Sequence, residues 1–213
     1  MNKSQLTNFI TKYTLGGEIK STKWTSDGNS LSTRFISGDK SVVGKVELNK
    51  FSHLKPCELG VYNTGQLTSL LSVLGDDVEV NLSQSGDKFI SMELEDTKRK
   101  TKSKYMLSDL SVIPTPPELK NLPDSFELGI KVDPYFVSTF ISGKGALSEA
   151  ETFTILTENG ETKIVIGYAS IASNRVTIPV ETTKGGEIEP ISFNANMFAS
   201  ILNANKDCES ATL

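Results

Sequence analysis

Few residues in this chain could do covalent or metal chemistry. His53 is the single histidine among 213 residues, so a histidine-rich metal site is excluded. A Ser-His-Asp triad would have to use His53, and no G-x-S-x-G elbow accompanies it. Beside Leu54 and Lys55 it reads as a surface loop residue. Cys57 and Cys208 stand far apart and single, which suggests neither a disulfide framework nor a thiolate metal site. Cys57 reads as a small buried hydrophobe. Gly143-Lys144-Gly145 lacks the frame of a phosphate loop and reads as a helix C-terminus. Asp76-Asp77 could ligate a metal, but a turn between helix and strand accounts for them. The expectation is no enzyme, no metal and no cofactor.

What remains is the chemistry of surfaces. Leu59 to Leu82 reads as strand, short helix, tight turn and strand. Asn63 is an N-cap, with Gln66 in the capping-box position. Leu67, Leu70, Leu71 and Leu74 recur at helical spacing, and Gly75 is expected as the C-cap. The opposite face holds Thr64, Thr68, Ser69 and Ser72, where a water-facing helix ordinarily carries Glu and Lys.

Three more helices share this habit. Ser4 to Tyr13 puts Leu6, Phe9, Ile10 and Tyr13 on one face and Gln5, Thr7, Asn8, Thr11 and Lys12 on the other. Asp133 to Lys144 opens with an Asp cap and Pro134 at the first helical position. Its apolar face is Phe136, Val137, Phe140 and Ile141, with Ser138, Thr139 and Ser142 opposite. Asn194 to Lys206 turns Met197, Phe198, Ile201 and Leu202 inward and Asn196, Ser200, Asn203 and Lys206 outward. None of the four carries Asp or Glu beyond its cap, where ordinary composition would place roughly five. Either these are low-charge core helices, or they are four equivalent helices facing something negative.

The bulk properties narrow the classes. The length suits one large or two small domains, and 37% hydrophobic residues can fill real cores. No apolar run approaches membrane-spanning length, and no signal-peptide core opens the sequence. With two single cysteines, a reducing, cytoplasmic setting is expected. A net charge of −4 argues against a basic DNA-coating protein. It leaves nucleic acid open if the positive residues are segregated on one surface.

Along the chain, short strand patterns alternate with turns. Ile19 to Trp24 and Ser30 to Ile36 flank Ser26-Asp27-Gly28-Asn29, and Ser41 to Leu48 follows as a strand. Ser85-Gly86-Asp87-Lys88 turns into Phe89 to Leu94. Lys98, Arg99, Lys100, Lys102 and Lys104 read as a basic loop before the strand Tyr105 to Leu107. Residues 112–124, rich in proline, read as an interdomain connector. The programme then restarts: strand Phe126 to Val132, helix, strands Phe153 to Thr157 and Lys163 to Tyr168 around an Asn-Gly turn, strand Arg175 to Glu181, strand Glu189 to Phe193, helix. Two domains are expected, 1–111 and 125–213, duplicated in pattern though not in identity. Ser210 to Leu213 is one strand where the first half has about three. By that comparison the second half reads as truncated by two strands, roughly 20 residues.

This organisation resembles the DNA sliding clamps of T-even-like tailed phages. Three segments carry the resemblance: LTNFITKY, LGVYNTGQLTSLLSVLGDDVEV and FNANMFASILNANK. It spans nearly the whole chain as pattern, and order and spacing carry more weight than any one motif. The basic run Lys98 to Lys104 and the short second half depart from it. The resemblance implies an α+β DNA-clamp fold, with two similar domains each of antiparallel sheets and two helices on one side. It implies a non-catalytic processivity factor, a homotrimeric ring around duplex DNA that tethers a DNA polymerase and is placed by a separate clamp loader. The DNA-facing residues would be Lys3, Thr7, Asn8, Lys12, Thr68, Ser69, Thr139, Lys144, Asn196, Asn203 and Lys206. A partner-peptide groove would lie at Val112 and Ile113. Subunits would meet through Tyr105, Met106 and Leu107 on one side and Arg175, Val176, Thr177 and Ile178 on the other. The rival classes are a non-catalytic β-rich phage structural or assembly module and a small hydrolase using Cys57 or His53.

Overall fold

A computed structural model describes residues 1–118, 126–169, 171, 173–208 and 211–213. The chain divides into two compact units, Met1–Lys120 and Asn121–Leu213. Both mix helices with antiparallel sheets. The part of the expected connector from residue 119 onward lies outside the described residues, as does Ser210.

In the first unit, α1 (Lys3–Thr14) starts on Asn2, whose side-chain oxygen accepts the Ser4 N–H at 2.9 Å. The helix stops at Leu15 and Gly16, both left-handed, with φ of 47° and 74°. β1 (Thr22–Ser26), β2 (Ser30–Ile36), β3 (Val43–Asn49) and β4 (Cys57–Val61) form one sheet in the order β3-β2-β1-β4. α2 (Thr64–Ser72) follows, then β5 (Val78–Ser85), β6 (Lys88–Asp96) and β7 (Lys102–Met106), a second sheet in that order.

The second unit runs β8 (Gly129–Val132), α3 (Pro134–Ala146), β9 (Thr152–Glu158), β10 (Glu161–Ile166), β11 (Val176–Pro179), β12 (Thr182–Lys184), β13 (Ile191–Asn194), α4 (Ala195–Ala204) and β14 (Ala211–Thr212). Its four-stranded sheet, β11-β10-β9-β13, repeats the order of β3-β2-β1-β4. α1 packs against β3 and α2, and α3 packs against β11 and α4. Asn2, just before α1, bridges to Asp77, just before β5. In the same manner β8, just before α3, pairs with β14, just after α4. The duplication is therefore one of connectivity, carried by different residues.

Different side chains fill the two cores. In the first, the Trp24 indole N–H donates to the Tyr13 hydroxyl at 3.2 Å, and that hydroxyl lies 3.2 Å from Thr64 Oγ1. α1, β1 and α2 are thus tied by buried aromatics whose polar tips are satisfied. Burial raises the Tyr13 pKa well above the usual tyrosine range, so the hydroxyl stays protonated. In the second, Phe140 is fully buried and meets Phe153 and Phe198 edge-on, at centroid distances of 5.1 and 4.9 Å.

Several local expectations change. α2 ends at Ser72 with Val73 as its C-cap, not at Gly75. Gly75 has another reason to be glycine: a Cβ there would fall 2.4 Å from Asp96 Oδ2. Gln66 donates its N–H to Asn63 Oδ1, but the Asn63 N–H donates to the Tyr105 hydroxyl at 2.9 Å, where the capping box would have used the Gln66 side chain. Strand β8 begins at Gly129, not Phe126, and within the stretch expected as Arg175 to Glu181 only Val176–Pro179 is strand, β11, with β12 beginning at Thr182 just beyond it. The basic run is only half a loop. Lys102 and Lys104 lie on β7, and Lys98, Lys100 and Lys102 form ion pairs with Asp77, Glu95 and Glu93/Glu95.

Asp96 organises that corner. Its side chain is buried and accepts three backbone N–H groups, from Arg99 at 2.8 Å, Lys98 at 2.9 Å and Gly75 at 2.8 Å. These bonds, that from Arg99 foremost, hold its pKa below the ordinary carboxylate value. A folded-state pKa below the unfolded one adds stability that is present above the unfolded value, about 3.9, and is lost as pH falls through the folded value. Asp96→Asn is expected to lower the urea midpoint at pH 7, because an amide NH₂ must face a backbone donor. Its deficit against wild type should shrink below about pH 4. A deficit independent of pH would show that the charge of Asp96 contributes nothing.

Candidate nucleic-acid interface

Among the described residues, no helix range contains an Asp or Glu. Three of the four N-caps are also neutral: Asn2, Asn63 and Asn194, with Asp133 the exception. Asp and Asn cap about equally well, so the choice leaves three helix starts uncharged without weakening them. Tyr135 on α3 apart, the exposed faces consist mainly of small polar groups. Ser4, Gln5, Asn8 and Thr11 face solvent on α1, and Gln66, Thr68, Ser69 and Ser72 do so on α2. Ser138 and Ser142 are exposed on α3, and Asn196 and Asn203 on α4; Thr7 and Thr139 are half-buried.

The hydroxyls on these faces turn back to their own helices. Thr11 Oγ1 donates to the Thr7 carbonyl at 2.9 Å, Thr68 Oγ1 to Thr64 at 3.0 Å, Ser69 Oγ to Gly65 at 3.0 Å and Ser138 Oγ to Tyr135 at 2.9 Å. With their protons spent internally, these hydroxyls are left with lone pairs alone. They offer a phosphate neither a repelling charge nor a gripping donor.

The expected lysines fare unevenly. Lys144 is only 8% exposed, and its ammonium donates to the Ser148 carbonyl at 2.8 Å. It closes the end of α3 and does not belong to a DNA-facing surface. Lys3 is half-buried, with its ammonium on the Leu74 carbonyl beyond α2. It ties the start of α1 to the end of α2. Lys12 is half-buried in the last turn of α1. Lys206 is exposed but lies past the end of α4. The helix faces are therefore neutral more than basic.

The remaining site residues divide by exposure. Val112 is 58% exposed, but Ile113 is 3% exposed and anchors its segment against Gly60, so it lines no groove. Further on, Lys23 donates to Thr115 and the Arg34 guanidinium to the Pro116 and Pro117 carbonyls, fastening the start of the connector to β1 and β2. β7 and β11 are both terminal strands of their sheets. On them Met106 and Thr177 face outward, as does Arg175 just before β11, while Val176 and Leu107 are half-buried. Tyr105 and Ile178 point into their cores and can offer a partner only backbone.

The residues considered for chemistry are occupied structurally. His53 is exposed and meets Phe51 edge-on at 5.2 Å, and partial burial lowers its pKa. Cys57 is half-buried, which raises the thiol pKa and disfavours the thiolate. Asp77 is paired with Lys98 at 2.8 Å. No group of three or more metal-ligating side chains occurs among the described residues. No helix among them is long and apolar enough to cross a membrane.

Sequence reasoning missed a cleft on the first unit, beside β4 and the segment after β7. Its one signal was Gly60. An isolated glycine within a strand pattern often marks a close backbone approach, and a Cβ there would fall 2.2 Å from the Ser108 carbonyl oxygen.

Compared with known proteins, the chain matches no protein-family model and no curated protein.

Proposed function

We propose that this chain is a sliding-clamp subunit with the DNA-clamp fold, a non-catalytic processivity factor that encircles duplex DNA as a homotrimer. The observation that carries the reading is the distribution of charge. The chain has 26 acidic residues, and among the described residues none falls within a helix. Duplex DNA repels carboxylates along its whole length, so a surface that slides on it must exclude them. Neutral hydroxyls and amides that make no strong or base-specific contact keep movement along the duplex easy. Retention is then topological and needs little attraction, which is compatible with a net charge of −4 and with helix faces nearly without free cations.

The repeated connectivity supports the reading, since each unit sets two such helices side by side on antiparallel strands. The edge strands β7 and β11 are the proposed contacts between subunits. A ring of this kind would hold a DNA polymerase at the primer end by raising its effective concentration, and a separate clamp loader would place it there.

The test is retention on circular duplex DNA during gel filtration, after incubation at high protein concentration with a crowding agent. The protein should co-elute with nicked circles and be lost when one restriction cut makes them linear. Equal retention on circles and linear DNA, or none on either, would overturn the proposal and favour a β-rich structural module.

A further inference from the structure

The first unit carries a second surface that the DNA reading does not use. A cleft of about 470 Å³ opens between β4, the β5–β6 turn and the segment after β7. One side is a partly open strand edge. The Ser108 N–H donates to the Gly60 carbonyl at 2.9 Å, so the backbone groups of Gly60 point outward from β4, away from β1. Backbone groups on one edge of a strand recur every second residue, which directs the N–H and C=O of Glu58 to the same edge. Among the described residues no backbone group pairs with them there.

The lining is part apolar and part acidic. Phe89, Ile90, Leu107 and Leu110 supply the apolar part, and Ile90 remains 39% exposed. Glu58, Asp87 and Asp109 are the acids of the cleft and Lys88 is its only cation. Lys88 is engaged by Asp109. No ion pair takes Glu58 or Asp87 among the described residues. The cleft therefore combines unpaired strand backbone, exposed aliphatic surface and surplus negative charge.

We propose that this edge docks an extended peptide segment of another protein, one that alternates apolar residues with Lys or Arg. An added strand satisfies the Glu58 backbone with its own main chain. Alternate side chains of a strand point to opposite faces, so the apolar set rests on Ile90 and Leu107 while the basic set meets Glu58 and Asp87. Ser108 already occupies Gly60 and the next outward position before Glu58 is Pro56, which has no N–H, so the added strand pairs with β4 at Glu58 and is held otherwise by its side chains. The site needs neither DNA nor a closed ring.

Fluorescence anisotropy on the full chain tests it with two blocked, labelled peptides, one alternating valine and lysine, the other valine and glutamate. The lysine peptide should bind roughly tenfold more tightly, as expected for two exposed charge pairs. Glu58→Lys with Asp87→Lys, both at exposed positions, should reverse that preference while leaving the thermal midpoint in place. Failure of the wild type to bind, equal binding of both peptides, or an unchanged preference in the double variant would each overturn the proposal. So would a concentration-dependent dimer, seen by light scattering, that the double variant abolishes and the lysine peptide cannot displace. That result would assign the edge to a second copy of the chain.

Discussion

Glutamate at Thr11, Ser69, Ser142 and Asn203, one on each helix, is expected to lower retention on circular DNA roughly a hundredfold. Each new carboxylate near a phosphate adds about 0.7 kcal/mol of repulsion at a separation of about 6 Å in water, and four such terms give about 3 kcal/mol. All four positions are exposed, so the fold should tolerate the change, with stability altered by less than about 0.5 kcal/mol per site. Four glutamates at exposed positions on the sheets, at Thr25, Asn49, Ser83 and Thr182, should have little effect on retention. Retention that survives the helix variant would remove the acid-free helix faces as the DNA surface. The reading of the chain as a clamp would lose its main support with them.

Phe140→Ala is expected to be the most damaging single substitution in the second unit. The ring is fully buried in α3, with Phe136, Phe153 and Phe198 at centroid distances of 6.1, 5.1 and 4.9 Å. Truncating a buried phenylalanine removes its transfer free energy and leaves a cavity, together about 3–5 kcal/mol. The neighbours are held by three different elements, α3, β9 and α4, so they cannot close the gap by moving one segment. Tyr135→Ala is the control. It lies five residues earlier on the same helix, but is 76% exposed, and should cost less than about 1 kcal/mol. Urea unfolding followed by circular dichroism distinguishes the two. A loss below about 1 kcal/mol for Phe140→Ala would show that the core repacks around the gap.

Much of the architecture was legible because it is local. The apolar stripe Leu6, Phe9, Ile10 and Tyr13 lies at helical spacing, and all four residues are buried in α1. Asn63, Asp133 and Asn194 cap helices by bonds to N–H groups three residues on, which a sequence displays directly. Asn159 and Gly160 take the positive φ values, 53° and 78°, that an Asn-Gly hairpin turn requires. The absence of acids from the helices is likewise a property of the sequence, whatever those helices face.

The sequence did not decide what was long-range. Lys3 stands in a helix and reads as a free cation, yet the Leu74 carbonyl, 71 residues on, takes its ammonium. Lys102 and Lys104 look like loop residues beside Lys98, but pairing of β7 with β6 places them on a strand, with Lys102 against Glu93 and Glu95. Ile113 and Tyr105 are apolar or aromatic residues near a chain segment read as exposed, and only packing shows that they face inward. Gly75 resembles a helix cap, but its constraint comes from Asp96, 21 residues away. The sequence by itself determined where the four helices lie and that, among the described residues, none of them bears a carboxylate, because capping, periodicity and composition act within a few residues. Only the tertiary structure decided which lysines are spent and that Glu58 borders an open edge, because those depend on side chains and strands brought together from distant parts of the chain.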